Sequence, residues 1–338
     1  MISEMTPKQA AIAAFELREP AGLVPHFELQ FQLAHDLLGE RHVSDQDLDA
    51  ASGAERDRLI HENAELYVRE AERLDYCIVP INMGPGRADA FVETIRLVHE
   101  MIGDERLIAV MADPTMSIPN GANMMDLVIS LAERPDEIKA GLRQGVLADL
   151  ERVKPLRDAG ASVALMCADY CFNDGPFLSP AMFREFVTPY LAEAIEGLRE
   201  QGFYAVKHTD GDIMPILDQL VECRPHAIHS LDPMAGVDLK RIKREIGGKV
   251  ALCGNVNCAL MQTGPIEAIR ADSVRALRDG MPGGGFFYCS SNTPFVGMPI
   301  ENYLAILDVR AEFGRYPIEP DRWARAESKY LEQGDMSW

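Results

Sequence analysis

Eight short apolar runs, each followed by polar loop residues and an amphipathic stretch, constrain this chain more than any other feature. The runs span residues 22–28, 76–82, 107–113, 162–169, 203–208, 227–232, 250–255 and 285–289. The stretches with helical spacing cover 54–74, 89–101, 125–159, 180–201, 213–222, 238–246, 265–278 and 300–313. Continuous runs rich in Val, Ile, Ala and Phe suit parallel strands buried on both faces. Eight strand–helix units in succession predict a (β/α)8 TIM barrel rather than an open sheet. No G-x-G-x-x-G opens a helix after the first strand, which removes the main support for a dinucleotide fold. The chain reads as a single domain over residues 1–338, with residues 1–21 adding N-terminal helix that covers one end of the barrel.

Barrels of this kind place their chemistry at the C-terminal ends of the strands. Here those ends carry Glu28, Asn82, Asp113, Asp169, His208 with Asp210, Asp232, Asn255 and Cys289. Helix capping alone could account for Asp113, Asp232 and Asn82, but it accounts less well for Glu28, His208 and Cys289. Among these strand ends, Glu28, Asp113, Asp169 and Asn255 are the candidate catalytic groups.

The segment Val206-Lys207-His208-Thr209-Asp210-Gly211 is the densest in chemistry. Residues two apart on a strand share a side, so His208 and Asp210 converge. With Cys289 they offer an imidazole, a carboxylate and a thiol, a three-ligand zinc set with a fourth position for water, substrate or Glu28. The competing reading is a polar strand end with an unrelated buried cysteine. Phe27, Met83, Tyr170, Phe172 and Phe295, with Asn82, are expected to line a compact substrate pocket beside the polar ring.

Composition narrows the partners. A net charge of −20 disfavours nucleic acid and anionic membrane surfaces. No run approaches the roughly 18 apolar residues of a membrane span. The N-terminal residues lack the basic-then-apolar pattern of a signal peptide. Seven cysteines, several inside apolar runs, fit reduced thiols in a cytoplasm.

The chain also resembles the uroporphyrinogen decarboxylase superfamily from about Thr6 to Tyr316. The resemblance rests on Gly175-Pro176-Phe177-Leu178-Ser179-Pro180, Phe183-Arg184-Glu185-Phe186-Val187-Thr188-Pro189-Tyr190, Lys207-His208-Thr209-Asp210-Gly211, Cys253-Gly254-Asn255-Val256, and Thr293-Pro294 with Pro299-Ile300-Glu301-Asn302-Tyr303. True decarboxylases of that superfamily carry an arginine-rich first segment that grips a polycarboxylate. Here the segment reads Pro25-His26-Phe27-Glu28-Leu29-Gln30, without arginine. The other class, zinc-dependent methyltransferases linked to corrinoids, binds zinc through His-x-Cys-Gly and a later cysteine before a Thr-Pro loop. This chain is similar at His208, Gly211 and Cys289, and departs at Asp210, where those enzymes have the first cysteine.

The resemblance thus implies zinc, a separate corrinoid (cobalamin) protein as partner, and methyl transfer from a small O- or N-methylated compound such as a methoxylated aromatic. The alternative it leaves is a cofactor-independent decarboxylase with Asp113, Asp169 or His208 as proton donor. A homodimer stays open.

Overall fold

The computed structural model describes residues 5–330. Its strands are β1 (Gly22–Leu23), β2 (Ile78–Pro80), β3 (Leu107–Met111), β4 (Val163–Met166), β5 (Cys171–Phe172), β6 (Gly175–Pro176), β7 (Tyr204–His208), β8 (Ala227–His229), β9 (Ala251–Val256), β10 (Phe286–Ser290) and β11 (Arg315–Tyr316). Seven of them form one parallel sheet in the order β10-β9-β8-β7-β4-β3-β2. Consecutive parallel neighbours are joined through helices, as a parallel ladder requires.

The eighth stave is residues 25–28. Cys77 donates its N–H to His26 O at 2.8 Å, and Tyr288 donates to Pro25 O at 2.9 Å. These bonds join the two edges of the sheet and close the barrel, as the eight-unit alternation predicts. The first run, however, is not a regular strand. Pro25 has no N–H to give to a ladder, and the residues before it turn away, so that Gly22 and Leu23 pair antiparallel with Tyr316 and Arg315.

Alternation along the strands sorts the side chains. Phe27, Leu29, Ala109, Leu165, Val206, Ala227, Cys253, Phe287 and Cys289 fill the barrel interior. Ile108, Ala164, Ala205, Ile228, Leu252 and Tyr288 face the surrounding helices.

The floor is sealed by the helix Pro7–Phe15, where Thr6 and Gln9 make a capping box and Pro7 takes the first turn. Phe15 stacks on Tyr204 at 4.5 Å and tilts against Phe287 at 4.7 Å. This is the N-terminal helix the sequence predicts, but it is shorter: it stops at Phe15, Leu17 adopts a positive φ of 60°, and residues 1–4 lie outside the described part of the chain.

Over the mouth, β5 and β6 form a hairpin that the sequence reading leaves as loop. It rests on Gly211, whose φ is +82° and where a Cβ would lie 2.5 Å from Phe172 O. Both the left-handed backbone and the close approach call for glycine there. Among the described residues no helix is long and apolar enough to cross a membrane.

Candidate active site

At the mouth three side chains converge. His208 ends β7 with its ring turned inward, and its Nε2 lies 3.6 Å from Asp169 Oδ1 and 3.7 Å from Asp210 Oδ1. One ligand atom from each of Asp169, His208 and Asp210 lies within 4.8 Å of the others, a grouping able to hold a metal ion. The loop after β4 carries Asp169, whose Oδ1 accepts the Asp210 N–H at 3.1 Å and so ties the two strand ends together.

Asp210 is fixed from the other side. Asn292 Nδ2 donates to its Oδ2, and Ser230 Oγ lies 2.8 Å from its Oδ1. Ser230 Oγ also lies 2.7 Å from Ser291 O. A hydroxyl has one hydrogen to donate. When Ser230 gives it to the Ser291 carbonyl, the remaining contact needs a proton on Asp210. Burial, together with the nearby charges of Asp169 and Asp232, pushes Asp210 up to about 7 against the Ser230 and Asn292 hydrogen bonds.

His208 Nδ1 meets His229 Nδ1 at 2.9 Å. Burial, and then the Lys207 charge, pushes His208 down to about 3; burial and His208 hold His229 well below the usual histidine range. Both rings are neutral near pH 7.

A cavity of about 340 Å³ opens on this cluster. Its walls are Leu29, Gln30, Asn82, Met111, Cys167, Asp169, His208, Asp210, Asn292 and Thr293. No lysine or arginine is among them. Another cavity, of about 370 Å³, lies at the opposite end of the barrel beside Pro7, Asp75, Cys77 and Arg310. Arg310 there is engaged by Asp75 and Val24 O, and that face of such barrels serves stability rather than chemistry.

The expected zinc trio does not assemble. Cys289 is fully buried, 0% exposed, among the interior side chains of the barrel. β10 runs one residue past it to Ser290, so Cys289 is a wall residue packed near Cys253 and Cys77, and burial raises its thiol well above the usual range. Asp169 takes its place in the cluster. Changing Cys289 to alanine is expected to leave divalent-cation affinity within about twofold and to cost about 1 kcal/mol of stability, the scale of a small core truncation; titration and urea unfolding of the variant measure both.

The other expected site residues divide in the same way. Glu28 is not at the mouth: it sits on the outer face of the eighth stave, where Ser290 N donates to its Oε1 and the Ser290 hydroxyl is hydrogen-bonded with its Oε2. Burial raises it to about 8 against these Ser290 bonds, so it is a neutral acid at pH 7.

Asp113 is locked as well. Its Oδ2 accepts Lys207 Nζ at 2.7 Å and Ala168 N at 2.8 Å. Its Oδ1 accepts Thr115 N at 3.0 Å and the Thr115 hydroxyl. Burial opposes the charge, yet Lys207 and these donors hold Asp113 below the usual carboxylate range. Lys207 spends its other hydrogens on Ala168 O and Met166 O, and its ammonium lies 4.1 Å above the Tyr170 ring.

Asn255 is buried between Leu231 O, to which it donates, and Arg275, from which it accepts. Phe27 packs inside the barrel, edge-on to Phe287. Tyr170 is core, its hydroxyl on Thr115. Met83 and Phe295 are partly buried against the core, and Phe172 is 45% exposed on the hairpin. Of the predicted substrate residues only Asn82 lines the cavity.

Ser230, His229, Asn292, Met111 and Cys167 belong to the site and escaped the sequence reading. A signal existed for Cys167, which sits two residues before Asp169 in the way His208 precedes Asp210. For Ser230 and Asn292, hydrogen-bonding residues just past strand ends, nothing in the linear order points to Asp210.

The comparisons with known proteins agree with this architecture. The model of the uroporphyrinogen decarboxylase (URO-D) family matches residues 63–313, well over half of the chain. The chain belongs to that family, a family of enzymes. Among solved structures it is similar to a methyltransferase from Methanosarcina mazei, at 20% identity over 92% of this chain and 99% of that one, with a TM-score of 0.71. It is more distantly similar to a putative vitamin-B12 independent methionine synthase from Listeria monocytogenes, at 10% identity over 90% and 98% of the two chains and a TM-score of 0.49. At 20% identity the likeness to the methyltransferase shows the barrel fold alone. No curated protein matches the chain.

Proposed function

We propose that this protein is a methyltransferase that holds a divalent cation, zinc in the first place, on Asp169, His208 and Asp210. In this reading it moves a methyl group between a small O- or N-methylated compound and a corrinoid carried by a separate protein. The observation that carries the reading is the cluster itself. Two carboxylates and a neutral imidazole face one another at the mouth, and the nearby ammonium of Lys207 is used up by Asp113, Met166 O and Ala168 O.

The residues fit the ion. Carboxylate oxygen and imidazole nitrogen are both zinc donors, and once Asp210 gives up its proton to the ion's field two carboxylate charges match the charge of a divalent cation. With Asp169 in place of a thiolate the set is harder than the Asp/His/Cys trio. A bound zinc would supply Lewis acidity toward an oxygen or nitrogen centre of the substrate.

What the chain itself does is orient and select. Ser230 and Asn292 hold Asp210 in place, and the Asp210 N–H holds Asp169. A cavity of about 340 Å³ admits a compact ligand. Its walls present two carboxylates and no cationic side chain, so a substrate rich in carboxylates is repelled. That argues against a decarboxylase acting on such a substrate, and Asp113, one of its candidate proton donors, is consumed by Lys207. The family membership and the likeness to a methyltransferase support the same direction.

The test supplies free cob(I)alamin with methoxylated aromatics, methylamines or methyl thiols and follows the corrinoid absorbance. Methylation by an O- or N-methyl donor in the zinc-loaded protein is expected. Turnover only between methylcobalamin and a thiol would reverse the direction argued here. Release of carbon dioxide from an acid substrate without any corrinoid reaction would put the decarboxylase reading in its place.

A further inference from the structure

The mechanism above uses His208 but not the second imidazole beneath it. His208 and His229 are register partners on neighbouring strands. Both turn into the barrel, and their Nδ1 atoms lie 2.9 Å apart. His229 is fully buried, its ring 6.4 Å from that of Phe27. Its Nε2 has no hydrogen-bond partner among the described residues. An isolated polar atom in the floor of a polar site calls for an account.

We propose that His229 is the positioning residue that makes His208 a ligand: it accepts the Nδ1 hydrogen of His208 and leaves the His208 Nε2 lone pair facing Asp169 and Asp210. This rests on the metal reading given above.

A neutral imidazole carries one N–H, on one nitrogen or the other. Two Nδ1 atoms at 2.9 Å share a single hydrogen, so the two rings cannot choose their tautomers independently. If His229 donates, His208 must carry its own hydrogen on Nε2, pointing at the carboxylates, and no lone pair is left for an ion. If His208 donates, its Nε2 is free to ligate, and the His229 hydrogen sits on Nε2 with nothing to receive it. Between the two arrangements the charge of the pair does not change. Ligating histidines commonly give their second N–H to an acceptor that fixes tautomer and ring orientation. Here the acceptor is another histidine, whose Nε2 stays unpartnered in either arrangement.

The experiment uses the full chain loaded with zinc. Nitrogen-15 spectra of labelled histidines are expected to show His208 protonated on Nδ1 and His229 on Nε2 in the loaded protein. In parallel, His229→Phe keeps an aromatic ring but removes the acceptor. Its zinc affinity, by competition with a chromophoric chelator, is expected to fall roughly 10–100-fold, the usual effect of losing such a partner. A loaded protein with the His229 hydrogen on Nδ1 overturns the proposal alone, as does a folded His229→Phe that binds zinc as tightly as the unaltered chain. If His229→Phe does not fold, the spectra of the unaltered protein decide. Failure of the unaltered protein to take up zinc overturns the metal reading itself, and this proposal with it.

Discussion

Replacing Lys207 with methionine is expected to lower stability by about 3–5 kcal/mol, the scale found when one partner of a buried ion pair is removed. Lys207 is 0% exposed and Asp113 nearly so. The substitution keeps an unbranched side chain but strands a buried carboxylate. Asp113 could then escape only by taking up a proton. The second half of the prediction separates charge from shape. Lys207→Met combined with Asp113→Leu removes both charges, and it is expected to recover a large part of the loss. Urea unfolding of the two single variants and the double variant at pH 7 measures this. Additive losses would mean that the pair contributes only through packing. The pair also matters to the site: Lys207 binds Ala168 O at 2.8 Å, one residue before Asp169, so a folded Lys207→Met should hold a cation less tightly.

The second large effect is a pH dependence set by Glu28. Its folded value of about 8 stands above the 4.5 of an exposed glutamate, burial being the main cause. The sign follows from where the proton stays. Below about pH 4.5 both folded and unfolded chains hold it, and the contribution to stability is fully present. As pH rises from there the unfolded chain releases the proton and the folded one keeps it, so stability falls by up to about 1.4 kcal/mol per pH unit. By about pH 8 the contribution is lost, in total on the order of 5 kcal/mol.

The groups packed around Glu28 do not titrate in that window. His26 is held down to about 3, and Tyr76, Tyr303 and Cys289 are raised well above their usual values. Glutamine matches the protonated acid, since its amide can accept from Ser290 N and donate to Ser290 Oγ. Glu28→Gln should therefore match the parent near pH 4 and exceed it increasingly toward pH 8. Asp210, raised to about 7, titrates in both proteins, so the difference between parent and variant isolates Glu28. Equal stability-versus-pH curves for the two would show that Glu28 ionises freely in the folded state.

These residues also show what a linear reading of the chain can reach. The barrel was legible because its evidence is periodic: apolar runs of strand length and helical stretches of the right length follow one another eight times. Convergence of His208 with Asp210 was legible for the same reason, being a local consequence of two-residue spacing. Cys289 was misplaced because its role hangs on where β10 ends, and one further strand residue turns a rim position into a wall position. Glu28 was misplaced by parity: with Phe27 and Leu29 pointing inward, His26 and Glu28 must point outward. Asp113 looked available because its partner lies 94 residues away, two strands over. The hydrogen bonds of Ser230 and Asn292 to Asp210 are likewise contacts across the mouth, which depend on barrel closure and not on local pattern.

If Asp169, His208 and Asp210 together hold a divalent cation, its uptake must depend on each of them. The most direct measurement is zinc uptake by the full chain and by Asp169→Asn, a substitution that keeps the shape and removes one negative donor at a partly exposed position. The account predicts one zinc per chain in the unaltered protein, and a loss of affinity of at least about tenfold in the folded Asp169→Asn variant. Absence of zinc uptake by the unaltered chain, or undiminished uptake by Asp169→Asn, would contradict it.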